Sequence, residues 1–496
     1  MRSLPNVLDL EEINRADPFM GSLLPYLASL GMGEIFLVGG YLRDYFLGGI
    51  AADVDFITGS DPEALAAVVA SWCEGKMFLL SEDDRTYRVA VGGGEMRRTL
   101  DFSPIKGASV EEDISYRDFT VNAMAVDVER LVGEGTLRLP RDLIDKHYGW
   151  RDLSREILRE CHNESFLMDP VRLVRALRFR HLLGLDFEER TLNHMKKYAP
   201  LITKVPGERI AVELMETLLF PETAEVFREL EETGLLQYLF PDLVAIVGME
   251  QNAYHHLDVW SHTLLTLEEL DRLLDDPEEL YPDHAERIRE RMAQPLHDLY
   301  PRRSFLRLAA LYHDAGKADT FSMDGNGRIH FYSHQNFSRE AAENLAARLR
   351  FSRRARDYLV NTVGKHMDIA LSLSDRVTSR QIMRLVRKLG DELVDVVLLS
   401  TADRFATRGP MASEEGLTRY VEFCRLLLDE HYREKEIPPL IKGRDLLEEL
   451  GLPPGPMIGE ILGEVRKAQM EGALGSKEEA LRFARRLAGG KAPSLE

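Results

Sequence analysis

Cysteine is scarce in this chain: its 496 residues contain three, Cys73, Cys161 and Cys424. An odd number of widely spaced cysteines excludes a disulfide-stapled scaffold and suits a reducing compartment. Long apolar runs are also missing, and none approaches the roughly 18 to 20 residues that cross a bilayer. The N-terminal residues lack the basic and then apolar pattern of a signal peptide. We therefore expect a cytoplasmic protein that does not associate with membranes.

Basic residues are fewer than acidic ones, 63 against 83, which gives a formal net charge of −20. This balance argues against a nonspecific coat on nucleic acid, because such binding needs many Lys and Arg contacts to phosphates. Two local groups of arginines stand out, Arg172, Arg175, Arg178 and Arg180 in one and Arg348, Arg350, Arg353, Arg354 and Arg356 in the other. Each group is either a local surface for a polyanion or a solvated helix face.

The hydrophobic pattern changes about a third of the way along the chain. Apolar or β-branched runs predict strands at residues 35–38, 54–57, 77–80, 86–91 and 99–102. From about residue 150 onward, apolar residues spaced three and four apart predict helices instead. The predicted fold class is therefore α+β, with a mixed sheet and its helices followed by an all-helical remainder.

A glycine pair, Gly39 and Gly40, follows the predicted strand at residues 35–38. Glycines at such a place let backbone N–H groups approach a phosphate, and the start of the next helix favours the same anion. Arg43, one turn further along, adds a positive charge. The pattern predicts a cradle for a phosphate group.

Paired carboxylates follow the cradle. Asp53 and Asp55 are two residues apart on a strand-like segment, so both side chains point to one face. Asp101, on another predicted strand, is a candidate third carboxylate. Hard oxygen ligands of this kind suit Mg²⁺, and two such ions can bridge an attacking hydroxyl and a triphosphate. A pair of this kind alone is more often a surface strand edge, but the combination with the phosphate cradle favours a catalytic site.

Four sequence motifs carry a family resemblance: LVGGYLRD at 37–44, DVDF at 53–56, RDFTVNAMA at 117–125 and DPVRLVRALRF at 169–179. They resemble the class II tRNA nucleotidyltransferase and bacterial poly(A) polymerase superfamily, over about residues 30–245. The resemblance implies a polymerase-β-like nucleotidyltransferase head followed by a helical neck, body and tail. It also implies Mg²⁺ as the cofactor of the head, the 3′ end of tRNA as a partner, and CTP, with ATP as a further candidate, as the nucleotide.

The family's motifs also imply roles for matching positions of this chain. Asp53 and Asp55 would hold the catalytic metals. The implied nucleotide-binding set is Gly39, Gly40, Arg43, Arg117, Asp118, Asn122, Asp169, Arg172, Arg175 and Arg178.

The chemistry of Asp169 and Arg172 predicts how a base could be chosen without a template. The two residues are three apart, and we expect them to be neighbours on one helix face. A carboxylate accepts hydrogen bonds and a guanidinium donates them. Cytosine and adenine offer an amino donor beside ring acceptors, whereas uracil and guanine present a carbonyl and a ring N–H. The pair therefore favours C and A over U and G.

Two features depart from the family pattern. Met168 precedes Asp169 where the family has a glutamate, and methionine cannot orient its neighbours by hydrogen bonding. Only residues 102–112 separate Asp101 from Asp113, where CCA-adding members have a longer loop. The short connection resembles the branch that adds two cytidines, so we predict CC addition, with complete CCA addition, A addition and poly(A) synthesis as alternatives.

A second set of residues lies in the helical part of the chain. It resembles the HD phosphohydrolase domain over about residues 255–405 and consists of His262, His313, Asp314 and Asp403, with His334 and His366 as further candidates. Imidazoles and carboxylates from separate helices can build a catalytic metal site. The expected ion is a transition metal, Ni²⁺ or Mn²⁺, and the expected activity is phosphohydrolysis. A phosphohydrolase whose head only binds RNA is the alternative from a different class.

The resemblance implies four domains: a head at 1–140, a neck at 141–245, an HD-type body at 246–434 and a tail at 435–496. The sequence leaves the oligomeric state open.

Overall fold

The computed structural model describes residues 2–92, 98–251, 256–297, 300–374, 376–409, 413–470 and 472–491. Its first third contains strands, and the rest consists almost wholly of helices. The predicted α+β class is confirmed.

The N-terminal strands are β1 Val7–Asp9, β2 Ile35–Val38, β3 Asp53–Thr58, β4 Lys76–Ser81, β5 Thr86–Val91, β6 Arg98–Pro104, β7 Ala125–Asp127 and β8 Thr136–Arg138. Six of them form one mixed sheet in the order β4-β5-β6-β3-β2-β7, and β1 pairs separately with β8. β3 and β6 are parallel, whereas the other pairs in the large sheet are antiparallel. The five predicted strands are all present, within two residues at each end.

The helices of this part are α1 Leu10–Ala16, α2 Pro18–Ser29, α3 Gly40–Phe46, α4 Pro62–Trp72, α5 Val110–Asp113 and α6 Val128–Glu134. α3 starts directly after β2, whose last residue, Val38, pairs with Asp55 of β3. The glycine pair is therefore held beside the carboxylate strand. α4 begins where the Asp61 side chain accepts from the N–H of Glu63, a common helix start.

The following segment is helical: α7 Gly149–Ser154, α8 Ser165–Met168, α9 Arg172–Leu183, α10 Glu189–Tyr198, α11 Gly207–Thr217, α12 Thr223–Glu232, α13 Leu236–Leu239 and α14 Pro241–Val244. Two short parallel strands, β9 Ile157–Leu158 and β10 Asp186–Phe187, accompany it. α9 ends at Gly184, whose φ of 59° suits the left-handed position after a helix. α9 packs against α11, and this contact positions the arginines of α9.

The larger helical part contains α15 Val259–Asp275, α16 Ala285–Ala293, α17 Arg302–Tyr312, α18 Lys317–Thr320, α19 His334–Arg348, α20 Arg353–Lys365, α21 Asp368–Ser372, α22 Ser379–Leu389, α23 Leu393–Ala406 and α24 Glu414–Glu436. Two hairpins lie between them, β11 Pro295–His297 with β12 Tyr300–Pro301, and β13 Phe321–Met323 with β14 Ile329–Phe331. α17 is central, because it packs against α15, α20 and α23.

Three helices close the chain, α25 Gly443–Leu450, α26 Pro456–Met470 and α27 Lys477–Lys491. They bury a small core of their own, which includes Leu446, Ile461 and Val465. No helix in the described ranges is both long and apolar enough to cross a membrane.

Candidate active site and metal-ligand clusters

Three predicted carboxylates lie on neighbouring strands of the large sheet. Asp53 and Asp55 are on β3, and the parallel register places Asp101 of β6 directly opposite Asp55. Burial raises the pKa of Asp55; the Arg117 guanidinium opposes this shift, and the charges of Asp101 and Asp53 add to it. Like charges held this close are stabilised by a cation, so the donor set fits a divalent metal ion.

Asp101 differs from the other two, because an arginine donates hydrogen bonds to both of its oxygens. Arg88 of β5 donates to both of its carboxylate oxygens, from Nε and from Nη2, each at 2.7 Å. Among the described residues, sets of three ligands with all atoms within 4.8 Å of one another occur only in the helical body. Asp53, Asp55 and Asp101 do not form such a set in this structure. Sequence reasoning missed Arg88; its place in the TYRVAV strand gave no distinguishing signal.

Gly39 lies close to two side chains of the site. Its φ is 75°, and a Cβ at this position would lie 2.6 Å from Nη1 of Arg117 and 3.0 Å from Oδ2 of Asp55. Arg117 Nη1 itself lies 3.8 Å from that Asp55 oxygen. Any side chain at position 39 would therefore push the arginine and the carboxylate away from their places.

Arg43 and Asn122, both predicted to bind nucleotide, contact each other. Arg43 is buried and donates from Nη1 to Oδ1 of Asn122 at 2.5 Å, and from Nε to Asp44 at 2.7 Å. Its guanidinium also lies 5.1 Å from the centre of the Phe179 ring, a cation–π distance. Asn122 in turn donates to Asp118 at 3.1 Å. Asn122 thus links Arg43 to Asp118 through hydrogen bonds.

Asp118 joins the sheet part to helix α9. It accepts from Nε of Arg175 at 2.9 Å, and Arg175 also donates to Glu213 of α11 at 2.8 Å. Arg178 Nε lies 3.2 Å from the same glutamate. Burial opposes the charge of Asp118, but Arg175 and the hydrogen bond from Asn122 outweigh it and lower its pKa. Sequence reasoning missed Glu213, although an acid among the buried residues of an amphipathic helix was a usable signal.

A cleft of about 450 Å³ opens beside the carboxylates. Its walls include Arg117, Asp169, Arg172, Arg175 and Arg209, so predicted residues from two distant motifs meet here. Arg172 reaches across it, donating to the Tyr116 carbonyl at 2.7 Å. Ile57 of β3 and Ser103 of β6 also line the cleft, together with four carboxylates, those of Asp113, Asp118, Asp169 and Glu213.

The prediction that Asp169 and Arg172 share a helix face is wrong. α9 begins at Arg172, and Asp169 is extended, with φ −148° and ψ 97°. Pro170 explains this, because the residue before a proline is disfavoured in the helical region. Asp169 instead accepts from Arg209 Nη2 at 2.7 Å. Arg209 lies on α11, and the sequence did not reveal its partnership with Asp169.

Several other arginines of the two groups have acidic partners. Arg180 pairs with Glu229, Arg350 lies 2.9 Å from Glu208, and Arg356 lies 3.2 Å from Asp357. These contacts favour structural roles over a continuous basic surface.

The six predicted residues of the body form two clusters of potential metal ligands. One contains His262, His313 and Asp403, and the other Asp314, His334 and His366. Adjacent His313 and Asp314 serve different clusters, and His313 Nε2 lies 3.2 Å from Asp314 Oδ2. The two clusters therefore adjoin.

Three of these imidazoles are held in one orientation. Nδ1 of His313, His334 and His366 lies 2.7, 3.0 and 2.8 Å from the backbone carbonyls of Ala310, Phe331 and Val363. An Nδ1–H that donates to a carbonyl leaves Nε2 as a lone pair toward the cluster, the usual arrangement of metal-binding histidines. Burial and two neighbouring imidazoles lower the pKa of His366 to about 3, so it stays neutral and able to ligate. The donor set fits transition-metal ions.

Comparisons with known proteins agree with this arrangement. Three family models match: the poly(A) polymerase head domain at residues 35–159, a probable RNA- and SrmB-binding site of polymerase A at 184–246, and a putative tRNA nucleotidyltransferase domain 2 at 428–484.

Relatives match over nearly the whole chain. An A-adding tRNA nucleotidyltransferase of Deinococcus radiodurans is 32% identical over 463 residues, covering 91% of this chain and 95% of its own. A CC-adding tRNA nucleotidyltransferase of Thermus thermophilus is also 32% identical, over 457 residues, covering 91% and 93%. One from Geobacter sulfurreducens, also CC-adding, is 28% identical over 474 residues, covering 93% and 94%.

Solved structures share the fold. An apo CCA-adding enzyme aligns over 99% of both chains with a TM-score of 0.62 at 19% identity. The Thermotoga maritima CCA-adding enzyme complexed with tRNA aligns over 99% of this chain and 100% of its own, with a TM-score of 0.54 at 19% identity. The motifs, the fold and the full-length relatives agree, and the chain belongs to the tRNA nucleotidyltransferase and poly(A) polymerase family.

Proposed function

We propose that this enzyme adds CMP to the 3′ end of tRNA without a template and releases pyrophosphate. The observation that carries the proposal is the placement of Asp53 and Asp55 beside an arginine-lined cleft. Gly39 lacks the Cβ that would displace Arg117 from between them. Full-length relatives that carry out A or CC addition support it.

In the reaction, the 3′-hydroxyl oxygen of the RNA bonds to the α-phosphorus of the nucleotide. The bond from that phosphorus to the bridging oxygen breaks, pyrophosphate leaves, and the proton of the hydroxyl passes to water. Asp53 and Asp55 would hold Mg²⁺, which supplies charge neutralisation of the phosphates and activation of the hydroxyl at such sites. Arg117, at the border between carboxylates and cleft, is placed to bind the triphosphate. Arg43 and Asp118 hold Asn122 in place behind it.

Base choice is assigned to Asp169 with Arg172 and Arg209. All three line the cleft, and Arg209 already donates to Asp169. An incoming cytosine could donate its amino group to Asp169 and accept on its ring atoms from a guanidinium. A uracil would leave these polar groups unpaired, which is costly.

The number of nucleotides added is proposed from the length of the connection between β6 and α5. β6 ends at Pro104 and α5 begins at Val110, so residues 105–109 form a short connection. We infer that CC is added, while complete CCA addition, A addition and poly(A) synthesis remain the alternatives within the family. Incubating the protein with a tRNA transcript lacking its end, CTP and ATP separates all four: a CC-adding enzyme stops after two cytidines. Addition of an adenosine after the two cytidines would overturn the CC assignment. If neither CMP nor AMP were incorporated, the proposed function itself would be overturned.

Four functional units are proposed with boundaries at 1–140, 141–245, 246–434 and 435–496. The large sheet lies within the first, and the last has a separate small core. The neck would carry the base-reading residues, and the body the two metal-ligand clusters.

A second function is favoured by one observation in the body: Nε2 of His334 and Nε2 of His366 face each other at 3.2 Å inside the second cluster. Because the Nδ1–H of each ring donates to a backbone carbonyl, each Nε2 carries a lone pair. The two lone pairs face each other, and a metal ion between them would stabilise this arrangement. We infer a phosphohydrolase that uses Ni²⁺ or Mn²⁺: a water oxygen bonds to phosphorus, the ester P–O bond breaks, and a water proton ends on the released hydroxyl.

Phosphate or ester hydrolysis with each divalent ion tests the second function. The variant combining His313→Ala with Asp314→Ala removes one ligand from each cluster and should abolish hydrolysis while tRNA extension persists. Absence of hydrolysis by the wild-type protein with every ion would make the clusters structural.

A further inference from the structure

A groove of about 300 Å³ lies in the helical body, lined by residues of α16, α23 and α24. None of the described residues that line it lines the arginine-lined cleft or the cleft that contains Asp314, His334 and Asp403. Small-ligand sites have volumes of about 300 to 1,000 Å³. The groove therefore has room for a small ligand, at a place that neither proposed function uses.

Two helices present hydrogen-bond donors to this groove. Arg287 and Arg291 lie four residues apart on α16, and His431 and Lys435 lie four residues apart on α24. Residues at this spacing share one face of a helix, so each helix contributes a pair. Arg287 also reaches α24, because it donates to Glu436 at 2.6 Å. Donors therefore border the groove on two sides.

Two polar atoms of α24 are buried without partners. His431 is 4% exposed, and its Nε2 has no hydrogen-bond partner in the described part of the chain. The hydroxyl of Tyr432, the next residue, is also buried without one there. Both residues line the groove. Nearly all buried polar groups in native proteins are hydrogen-bonded, so two orphaned atoms beside a groove call for a ligand or ordered water.

The charges near these atoms favour an anion. Nε of Arg291 donates to Asp395 at 2.8 Å, whereas Nζ of Lys435 lies 4.0 Å from Asp391, which is too far for a hydrogen bond. Burial lowers the pKa of His431 and that of Lys435, and the charge of Arg291 adds to both shifts, although Asp391 opposes them. Cations therefore outweigh the nearby acid at these two side chains.

Two acids also line the groove, Glu290 and Glu436. Both are exposed, and Glu436 is already paired with Arg287. Exposed charges are screened by water and salt, so these acids oppose a bound anion only weakly.

We propose that this groove binds a phosphate group, with Nζ of Lys435, the hydroxyl of Tyr432 and Nε2 of His431 as donors to its oxygens. Each of these atoms can donate a hydrogen bond, and a phosphate group offers three strong acceptor oxygens where a carboxylate offers two. The site depends on neither of the two proposed reactions. A free phosphate compound and a phosphate of an RNA backbone present the same chemistry, and the experiment separates them.

Calorimetric titration of the EDTA-treated full chain with pyrophosphate tests the site. The wild type should show a pyrophosphate site whose affinity falls about tenfold in Lys435→Gln, because a donor to a charged group is lost. Arg433→Gln is the matched control: the side chain of Arg433 is 49% exposed against 50% for Lys435, on the same helix, and it does not line the groove. Equal affinities in the wild type and both variants would overturn the proposal, and so would equal losses in the two variants.

The arginine-lined cleft is a second place where pyrophosphate can bind, so a further variant assigns the measured site. Arg209→Gln removes one arginine of that cleft and should leave the effect of Lys435→Gln unchanged. Disappearance of the Lys435→Gln effect in the Arg209→Gln protein would place the site in the cleft and overturn the proposal.

Two further ligands define the chemistry of the site. Malonate, which carries carboxylates in place of phosphates, should bind it more weakly than pyrophosphate, and tighter binding of malonate would overturn the assignment to phosphate. Affinity for tRNA separates the two sources of a phosphate. A fall in Lys435→Gln but not in Arg433→Gln assigns an RNA phosphate, whereas unchanged tRNA affinity beside weakened pyrophosphate binding assigns a free phosphate compound.

Discussion

Nε of Arg175 donates to Oδ2 of Asp118 at 2.9 Å. The two residues belong to different motifs and are 57 positions apart in sequence. Arg175 lies on α9, and Asp118 follows the 3-10 turn that carries Arg117 toward the carboxylates. The bond therefore fixes α9 relative to the segment that carries Arg117.

Removing Asp118 should destabilise the protein strongly. Asp118→Ala leaves the guanidinium of Arg175 with Glu213 as its remaining acidic partner, and loss of a hydrogen bond to a charged group costs about 1.5 to 3 kcal/mol. Urea unfolding of wild type and variant measures the difference. Glu134→Ala is the matched control, because it breaks an exposed 2.8 Å pair with Arg130 whose loss costs at most about 1 kcal/mol. Equal losses in the two variants would contradict this account.

Gly39→Ala should impair nucleotide addition without abolishing folding. The added Cβ would meet Arg117 at 2.6 Å and displace it, and a misplacement of about 1 Å in an active site can cost about a hundredfold in rate. Gly48→Ala is the control, since Gly48 also has positive φ (82°) but no atom within 4 Å of a Cβ. A similar loss of CMP incorporation in both variants would attribute the effect to backbone strain alone.

Stability should fall on acidification because of His431. Burial lowers the pKa of His431 from 6.5 to about 4, with Lys435 and Arg291 adding to the shift. The unfolded chain therefore binds this proton more tightly, so the stabilisation is complete above about pH 6.5 and is lost as the pH falls toward 4. The unfolding free energy should fall by about 2 kcal/mol between pH 7.5 and 5 through this group.

The test of the His431 effect is the difference between wild type and His431→Gln, since other groups titrate in both proteins. The variant should show a shallower loss of stability over this pH range. Parallel curves for the two proteins would exclude His431 as a source of the pH dependence.

Metal binding in the body should involve two separable sites. Calorimetric titration with Ni²⁺ should show two strong sites that depend on body ligands, and His366→Gln should remove one, because His366 belongs to the second cluster only. His262→Gln should remove the other. A single body site in the wild type that either variant abolishes would indicate one shared ion, against this arrangement.

Much of the site was predictable because its chemistry is local in sequence. Asp53 and Asp55 are two residues apart on one strand, and Gly39 directly follows another. The geometry of a single strand and of its end was therefore enough to predict where these residues lie. The body ligands were recognisable as a set by residue type and order. Arg88, Arg209 and Glu213 were missed, because their roles arise only from contacts with residues 13, 40 and 38 positions away. Asp169 was misplaced because the effect of Pro170 on the preceding residue was not applied.

The central claim is that Asp53 and Asp55 together hold the catalytic cations next to the nucleotide. CMP incorporation into a tRNA transcript by the variant combining Asp53→Ala with Asp55→Ala tests it most directly, with an unchanged melting temperature as the control for folding. The account predicts that incorporation falls to background in a folded protein. Wild-type turnover in that variant would contradict it.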